Sequence, residues 1–196
     1  MTSKSIRSFS LIAAVLFLAG AARAAGTNAP AAEAKVARGK LLVGIGGCAD
    51  CHTPTKMTKE GPEKDLTFNL AGHPAAMAMP PAPALPPGPW VAAASGSMTA
   101  WSGPWGTSFT ANLTPDDETG LGKWTEQNFI DTMRNGRHLG QGRPILPPMP
   151  VPALQTLADD DLRAIYAYLR TIPAVSNRVP APLPPPAAPA TASSAR

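Results

Sequence analysis

Residues 44–52 read GIGGCADCH, in which two cysteines lie three positions apart and a histidine directly follows the second one. On one helical turn Cys48 and Cys51 share a face, and His52, four positions after Cys48, points to the same side. Two thiols that can form thioether bonds, beside an imidazole that can reach an iron atom, are the attachment pattern of haem c. The motif predicts one covalently bound haem c, with His52 as an axial ligand of its iron.

Other interpretations of the two cysteines are weaker. A thioredoxin-like redox site needs a βαβ context, and the sequence offers no convincing strand. A zinc site needs four ligands, often from two cysteine pairs, and this chain has only two cysteines. A disulfide between residues so close together would close a very small loop and stabilise little. A chance motif with idle thiols fits badly with an exported protein.

The N-terminal segment predicts that export. Lys4 and Arg7 precede an apolar run at about residues 11–19, and the small-x-small triplet ARA follows at residues 22–24. This is the pattern of a secretory signal peptide, and the run is too short for a transmembrane anchor, which needs roughly 20 apolar residues. Residues 1–24 carry three basic residues and no acidic one, so cleavage lowers the formal net charge from +4 to +1. We expect a periplasmic protein with no transmembrane anchor and no nucleic-acid partner.

Proline divides the mature chain. Most of the 24 prolines fall in residues 74–89, 144–152 and 173–189. They remove backbone donors there and disfavour both helices and central strands. We predict one domain over residues 25–175, with a long irregular insert at about residues 53–109. Residues 176–196, rich in proline, alanine and serine, are predicted to be a disordered tail.

Three helices are predicted from composition and periodicity. The first covers about residues 31–45 and ends at a glycine-rich run. The second covers about residues 126–135, with Thr125 as its N-cap and Gly136 as its stop. The last covers about residues 158–173, where acidic residues at the start complement the helix dipole and a proline ends it.

The second axial ligand is harder to choose, because several side chains are able to bind iron. They are His73, His138, Met57, Met77, Met79, Met98, Met133 and Met149. We choose Met149, since it lies in the proline-stiffened stretch RPILPPMP at residues 143–150, which can hold a thioether over one face of the ring. Met79 is the nearest rival, but it lies in the insert.

These motifs resemble a known family. The CADCH motif, the PPMP stretch at residues 147–150 and the segment LADDDLRAIYAYLRTIP at residues 157–173 resemble class I cytochromes c. Residues 111–138, ANLTPDDETGLGKWTEQNFIDTMRNGRH, are further similar to periplasmic cytochromes related to the haem subunits of bacterial alcohol and sugar dehydrogenases. The resemblance covers about residues 31–52 and 105–175.

The resemblance implies an all-α fold, His/Met ligation of the iron by His52 and Met149, and electron transfer. It also implies that the first and last helices cross near Gly39 and Tyr166. Two departures stand out. The insert places Met149 as far as 98 positions after Cys51, and only one CxxCH motif is present where such subunits usually carry several.

Further cofactor contacts and the function follow from these assignments. Trp124 could donate its indole N–H to a haem propionate, and Arg137 or Arg143 could pair with one. We expect a one-electron carrier with no catalytic residue, whose redox partners are a dehydrogenase and an oxidase or another cytochrome. The alternative is a haem enzyme or small-ligand sensor with an open or displaceable sixth iron position, in which His73 or His138 would be the distal group.

Overall fold

A computed structural model describes residues 28–85 and 88–185, so the predicted signal peptide lies outside the described residues. The chain divides into a short N-terminal unit, residues 1–34, and a main unit, residues 35–196. Of the first unit only the first turns of a helix are described. The helices are α1 (Asn28–Ile45), α2 (Cys48–His52), α3 (Glu126–Asn135), α4 (Val151–Leu154) and α5 (Asp159–Leu169). No helix in the described ranges combines the length and the apolar character that crossing a bilayer requires.

The three predicted helices are present, although α1 begins earlier and α5 ends earlier than predicted, and the ends of α3 follow from local sequence. Thr125 and Asn128 form a capping box at the start of α3, and Gly136 ends the helix in the left-handed conformation with φ 61°. In α5, Asp159 lies in the acidic first turn and binds Arg134 of α3 at 2.6 Å. These caps explain why the bounds of α3 coincide with those predicted.

The main unit is built around the contact between α1 and α5. A Cβ atom on Gly39 would lie 1.9 Å from the carbonyl oxygen of Ala164 and 2.8 Å from the Cβ of Tyr168. Only glycine allows two helix backbones to approach this closely. Helix α3 packs beside α5, and the apolar faces of α1, α3 and α5 form the core. That core contains Leu42, Val43, Phe129, Ile130, Met133, Leu162, Ile165 and Leu169.

The prediction of an all-α fold is wrong, because the described chain contains two antiparallel sheets. A two-stranded sheet consists of β1 (Thr55–Thr58) and β2 (Gly61–Lys64). A three-stranded sheet has the order β3 (Ala93–Ala94), β4 (Ala100–Gly103) and β5 (Gly106–Phe109). All five strands lie in the insert that was predicted to be irregular. Threonine, tryptophan and phenylalanine favour strands, but four residues are too few to display a clear alternation in sequence.

Residues 176–185, the part of the predicted disordered tail that the structure describes, are ordered, and residues 186–196 lie outside the described residues. Asn177 is only 3% exposed, and its side-chain amide donates to the carbonyls of Ala71 and His73 at 2.7 and 2.9 Å. Further on, Thr107 of β5 and Leu183 exchange two backbone hydrogen bonds of 2.9 Å. Residues 176–185 are therefore fixed to the domain at two points, because one buried polar side chain and one strand-like pairing satisfy their hydrogen-bonding groups.

Candidate haem site

A cavity of about 590 Å³ brings together six of the site residues that the sequence predicts. Its walls include Cys48, Cys51, His52, Trp124, Arg143 and Met149. Helix α2 supplies the thiols and the imidazole, and the segment before α4 supplies Met149. The end of β5 and the chain after residue 177 close further sides. A largely apolar cavity of this size is typical of cofactor sites.

The two thiols lie on the single helical turn of α2. Gly47, with φ 61°, precedes the helix in a left-handed conformation and turns the chain from α1 into α2. Burial raises the pKa of Cys48 and of Cys51, and the negative charge of Asp50 acts in the same direction on both. Redox and nucleophilic cysteines need the opposite shift, because the thiolate is the reactive form. The electrostatics therefore argue against a thioredoxin-like role for this pair.

His52 is buried with one ring nitrogen already engaged. It is 7% exposed, and its Nδ1–H donates to the carbonyl of Ala111 at 2.8 Å. A carbonyl can only accept, so Nδ1 carries the proton and Nε2 keeps a free lone pair. Burial lowers the pKa of His52, which favours this neutral form. A backbone carbonyl that fixes the tautomer of a histidine is the usual arrangement at metal-binding imidazoles.

The acceptor of that hydrogen bond is itself held in place. Ala111 lies in an extended stretch after β5, where the Leu113 amide donates to Leu70 at 2.8 Å and the His73 amide donates to Thr110 at 2.9 Å. These bonds join the stretch to the chain that follows β2. Leu70 and His73 of the insert thereby contribute to the orientation of His52, although they lie 18 and 21 positions after it in the sequence.

Met149 is partly buried on the segment that we call the methionine loop, residues 144–150. The loop begins where the amide of Ile145 donates to the carbonyl of Gly136 at 2.9 Å, and it ends at α4. Its prolines at 147, 148 and 150 carry no amide hydrogen and restrict φ, so they stiffen the segment. The loop thus presents the thioether to the cavity from a backbone with little freedom.

The other iron-binding candidates differ in position. Met133 of α3 also lines the cavity, whereas Met79 does not. His138 lines it as well, and its ring meets that of Trp124 edge-on at 5.2 Å between centroids. His73 is fully buried elsewhere, with hydrogen bonds to Thr99 and to Met77. The sequence could not distinguish these cases, because helix and loop positions alone do not show which way a side chain points.

The predicted arginines separate in the same way. Arg143 lines the cavity, and after burial its positive charge is the second cause that lowers the pKa of His138. Arg137 instead donates to the carbonyl of Gly142 at 3.0 Å and is not part of the cavity wall. The structure therefore favours Arg143 over Arg137 as a partner for an acidic group in the cavity.

One wall of the cavity was not predicted from the sequence. Residues 178–182, which we call the C-terminal strap, all line the cavity between the fixed points at Asn177 and Leu183. Their composition indicates disorder, and no local pattern reveals that Asn177 fixes their start. Ser108 and Thr110, at the end of β5, were also missed, because nothing in the sequence predicts which face of a four-residue strand meets the cavity.

The residues present fit a haem. The thiols, the free Nε2 of His52 and the thioether of Met149 are the donor set that haem c requires from a protein. The hydroxyl of Thr110 lines the cavity and is buried without a hydrogen-bond partner among the described residues, as expected where a polar group of a cofactor belongs. No cluster of three histidine, cysteine or acidic side chains able to hold a bare metal ion occurs in the described ranges. A haem iron needs no such cluster, because the porphyrin supplies four ligands.

Comparison with known proteins finds cytochrome subunits of bacterial dehydrogenases. Over 136 residues, 69% of this chain, it is 30% identical to the cytochrome c subunit of a quinone-dependent alcohol dehydrogenase from Gluconobacter oxydans. Over 145 residues, 74% of this chain, it is 28% identical to the fructose dehydrogenase cytochrome subunit of Gluconobacter japonicus. It is related to the cytochrome c subunits of bacterial dehydrogenases.

The chain spans only part of the length of these relatives. This cytochrome covers 21% and 23% of the length of those two relatives. A shorter match, 38% identical over 78 residues, is to a nicotinate dehydrogenase component from Pseudomonas putida, of which it covers 6%. No family model matches the chain. The resemblance deduced from the CADCH motif and from residues 111–138 is confirmed.

Proposed function

We propose that this cytochrome is a periplasmic one-electron carrier with a single haem c, bound through Cys48 and Cys51 and ligated by His52 and Met149. The observation that carries the proposal is the one cavity that unites these four side chains with the propionate candidates Trp124 and Arg143. The relatives, which are cytochrome c subunits of dehydrogenases, support the assignment of the chain as a c-type cytochrome that transfers electrons.

Each residue has a distinct task in this proposal. The two thiols would hold the ring by thioether bonds, and His52 would donate its Nε2 lone pair while Ala111 fixes its orientation. Met149 would supply its thioether sulfur as the second protein ligand. A haem bound in this way would supply one iron that alternates between the ferric and ferrous states. Because His52 and Met149 would both hold the iron, we propose a carrier without catalytic residues, in which no substrate binds the metal.

The single haem, the location and the partners are further parts of the proposal. One CxxCH motif supports one haem, and the signal-like residues 1–24 support export to the periplasm. The relatives are named as subunits of alcohol, fructose and gluconate dehydrogenases. We therefore propose that this cytochrome accepts electrons from a dehydrogenase and passes them to an oxidase or another cytochrome.

Covalent attachment is tested by denaturing electrophoresis with haem staining. The protein as made in a host that matures c-type cytochromes should keep its haem through denaturation. Replacing both Cys48 and Cys51 with alanine should abolish the stained band, and either single replacement should leave one thioether. Complete loss of haem from untreated wild-type protein on denaturation would contradict covalent attachment.

The axial ligand is tested by comparing two methionines of the same cavity. Sulfur ligation gives ferric haem a weak far-red charge-transfer band. Met149→Leu should remove this band and open the iron to carbon monoxide in the ferrous state, whereas Met133→Leu should retain the band. Loss of the band in Met133→Leu but not in Met149→Leu would identify Met133, and not Met149, as the sulfur ligand. A wild-type protein that lacks the band and binds carbon monoxide readily would favour the enzyme or sensor alternative.

A further inference from the structure

A hydrogen bond connects the insert to the methionine loop. The hydroxyl of Ser108, in β5, donates to the carbonyl of Pro147 at 2.5 Å, two residues before Met149. Ser108 is 7% exposed and lines the cavity. The carbonyl of Trp101 is a second, more distant acceptor at 3.4 Å, so the single hydroxyl hydrogen is directed at Pro147.

The methionine loop has few other connections near the sulfur. The prolines at 147, 148 and 150 have no amide hydrogen. The amide of Val151 donates to the carbonyl of Met149 at 2.9 Å, which only closes a local turn. The connection of the loop to Gly136, through Ile145, is four residues before the ligand. The Ser108–Pro147 bond is therefore the described long-range hydrogen bond that is nearest to Met149 along the chain.

The donor sits on a fixed support. In the register of β4 and β5, Ser108 pairs with Trp101, and the neighbouring residue Thr107 pairs with Leu183 beyond the C-terminal strap. β5 is thus bonded on both sides of its backbone, by β4 and by the chain after the strap. A side chain on such a strand can hold the loop at a constant distance from the cavity.

We propose that Ser108 is a positioning residue for Met149. Its hydroxyl holds the methionine loop so that the sulfur stays bound to the iron. The inference rests on the proposed ligation by Met149 and adds a function for the hairpin β4–β5. Without the hydroxyl, the Pro147 carbonyl loses its partner and the loop can move away from the cavity. The sulfur then competes less well against other ligands, although Met149 itself is unchanged.

The test compares three serine variants of the full, haem-loaded protein. Ser108→Ala removes the hydroxyl, and Ser108→Thr keeps it on a residue that suits a strand. Ser102→Ala is the matched control, because Ser102 lies in β4, where its hydroxyl accepts from Thr107 at 3.3 Å, and it is not part of the cavity wall. Imidazole is titrated against the ferric protein, and the far-red band reports how much sulfur remains bound.

The loss of one hydrogen bond should lower the imidazole concentration needed for half-displacement by about five- to tenfold in Ser108→Ala. Ser108→Thr and Ser102→Ala should stay within about twofold of wild type. Equal displacement in Ser108→Ala and Ser102→Ala would overturn the positioning role while leaving ligation by Met149 intact. Absence of the band in wild type would overturn the proposed ligation itself, so the two failures are distinguishable. Thermal unfolding of each variant, followed by far-ultraviolet circular dichroism, shows that any change arises in a folded protein.

Discussion

Two glycines of α1 lie on one helix but in opposite surroundings. Gly39 faces the backbone of α5 at Ala164, whereas a Cβ atom on Gly44 would meet no atom within 4 Å. The first position tolerates no side chain, and the second carries only the conformational entropy cost of glycine. Replacing each glycine with alanine in turn therefore separates the effect on the packing of α1 against α5 from the effect on helix propensity.

Gly39→Ala should lower the free energy of unfolding by about 3 kcal/mol, because the added methyl group forces α1 away from α5. Gly44→Ala, the control, should raise it by up to about 1 kcal/mol, since alanine favours the helix. Chemical denaturation of the haem-loaded proteins measures both. Similar effects at the two positions would contradict the close approach at Ala164.

His73 predicts a pH dependence of stability. Burial lowers its pKa, and its neutral ring accepts from Thr99 while its Nε2–H donates to Met77 at 2.9 Å. Below about pH 6.5 this histidine binds a proton in the unfolded chain but stays neutral in the folded protein. Stability contributed by this histidine is therefore complete above that pH and falls as the pH decreases, by at most about 1.4 kcal/mol per pH unit.

His73→Gln should reduce this slope, since glutamine keeps a donor and an acceptor but does not titrate. Denaturation midpoints between pH 5 and pH 7.5 for wild type and variant provide the measurement. Parallel pH profiles would show that another group, such as His138, whose pKa burial also lowers, dominates the acid response.

Single site residues could be predicted from the sequence where their chemistry requires residues that are close together in the chain. The spacing of Cys48, Cys51 and His52 predicts a shared helical turn, and α2 has that turn. Their roles as haem ligands, like that of Met149, stay predictions. Ser108 and Thr110 could not be found, because a serine or threonine at the end of a short strand carries no signal of its neighbours across the cavity.

Elements with strong end signals were predictable, and those without were not. Thr125, Asn128 and Gly136 specify α3 locally, so its bounds follow from sequence. The hairpin β1–β2 has the loop Lys59-Glu60, which lacks the Asn-Gly or Asp-Gly turn that marks most two-residue hairpins. The strands of the insert depend on tertiary contacts, such as the pairing of Thr107 with Leu183, that no local pattern contains.

The attachment of the C-terminal strap can be tested through Asn177. Replacing it with alanine leaves the buried carbonyls of Ala71 and His73 and the amide of Ala75 without their partner. We expect a loss of about 3 kcal/mol in the free energy of unfolding. Asn135→Ala is the control, because that exposed side chain donates to one carbonyl, at Gly140, and its loss should cost about 0.5 kcal/mol.

Protease sensitivity provides the accompanying readout. In Asn177→Ala the chain after residue 175 should be cleaved faster than in wild type, while Asn135→Ala should match wild type. Equal cleavage rates in all three proteins would show that the strap is held independently of Asn177. The pairing between Thr107 and Leu183 would then be its main attachment.

For the whole molecule, the cavity leaves a large set of apolar side chains with no protein group between them. Helices α2 and α3, the end of β5, the methionine loop and the C-terminal strap form walls around about 590 Å³. A group that binds only the folded protein stabilises it, and an apolar group in such a cavity also removes the lining from water. We therefore expect the stability of the fold to depend on the haem that we propose for this site.

The double variant Cys48→Ala/Cys51→Ala, prepared without haem, should consequently unfold at a lower temperature than the haem-loaded wild type. Calorimetry measures both transitions. Added haem should raise the unfolding temperature of the double variant in part, because the proposed ligands His52 and Met149 remain. Equal unfolding temperatures of the haem-free variant and the haem-loaded wild type would contradict this dependence.

The C-terminal strap implies an order of assembly. Chains are synthesised from the N-terminus, so the CADCH motif is complete well over a hundred residues before Arg178 is made. The cleft lacks its last wall throughout that interval. Under the proposed function, a haem attached in that interval would enter an open site, and the strap would cover it once Asn177 reaches Ala71 and His73. A cofactor that enters in this order would require no opening motion of the finished protein, since the wall is made last.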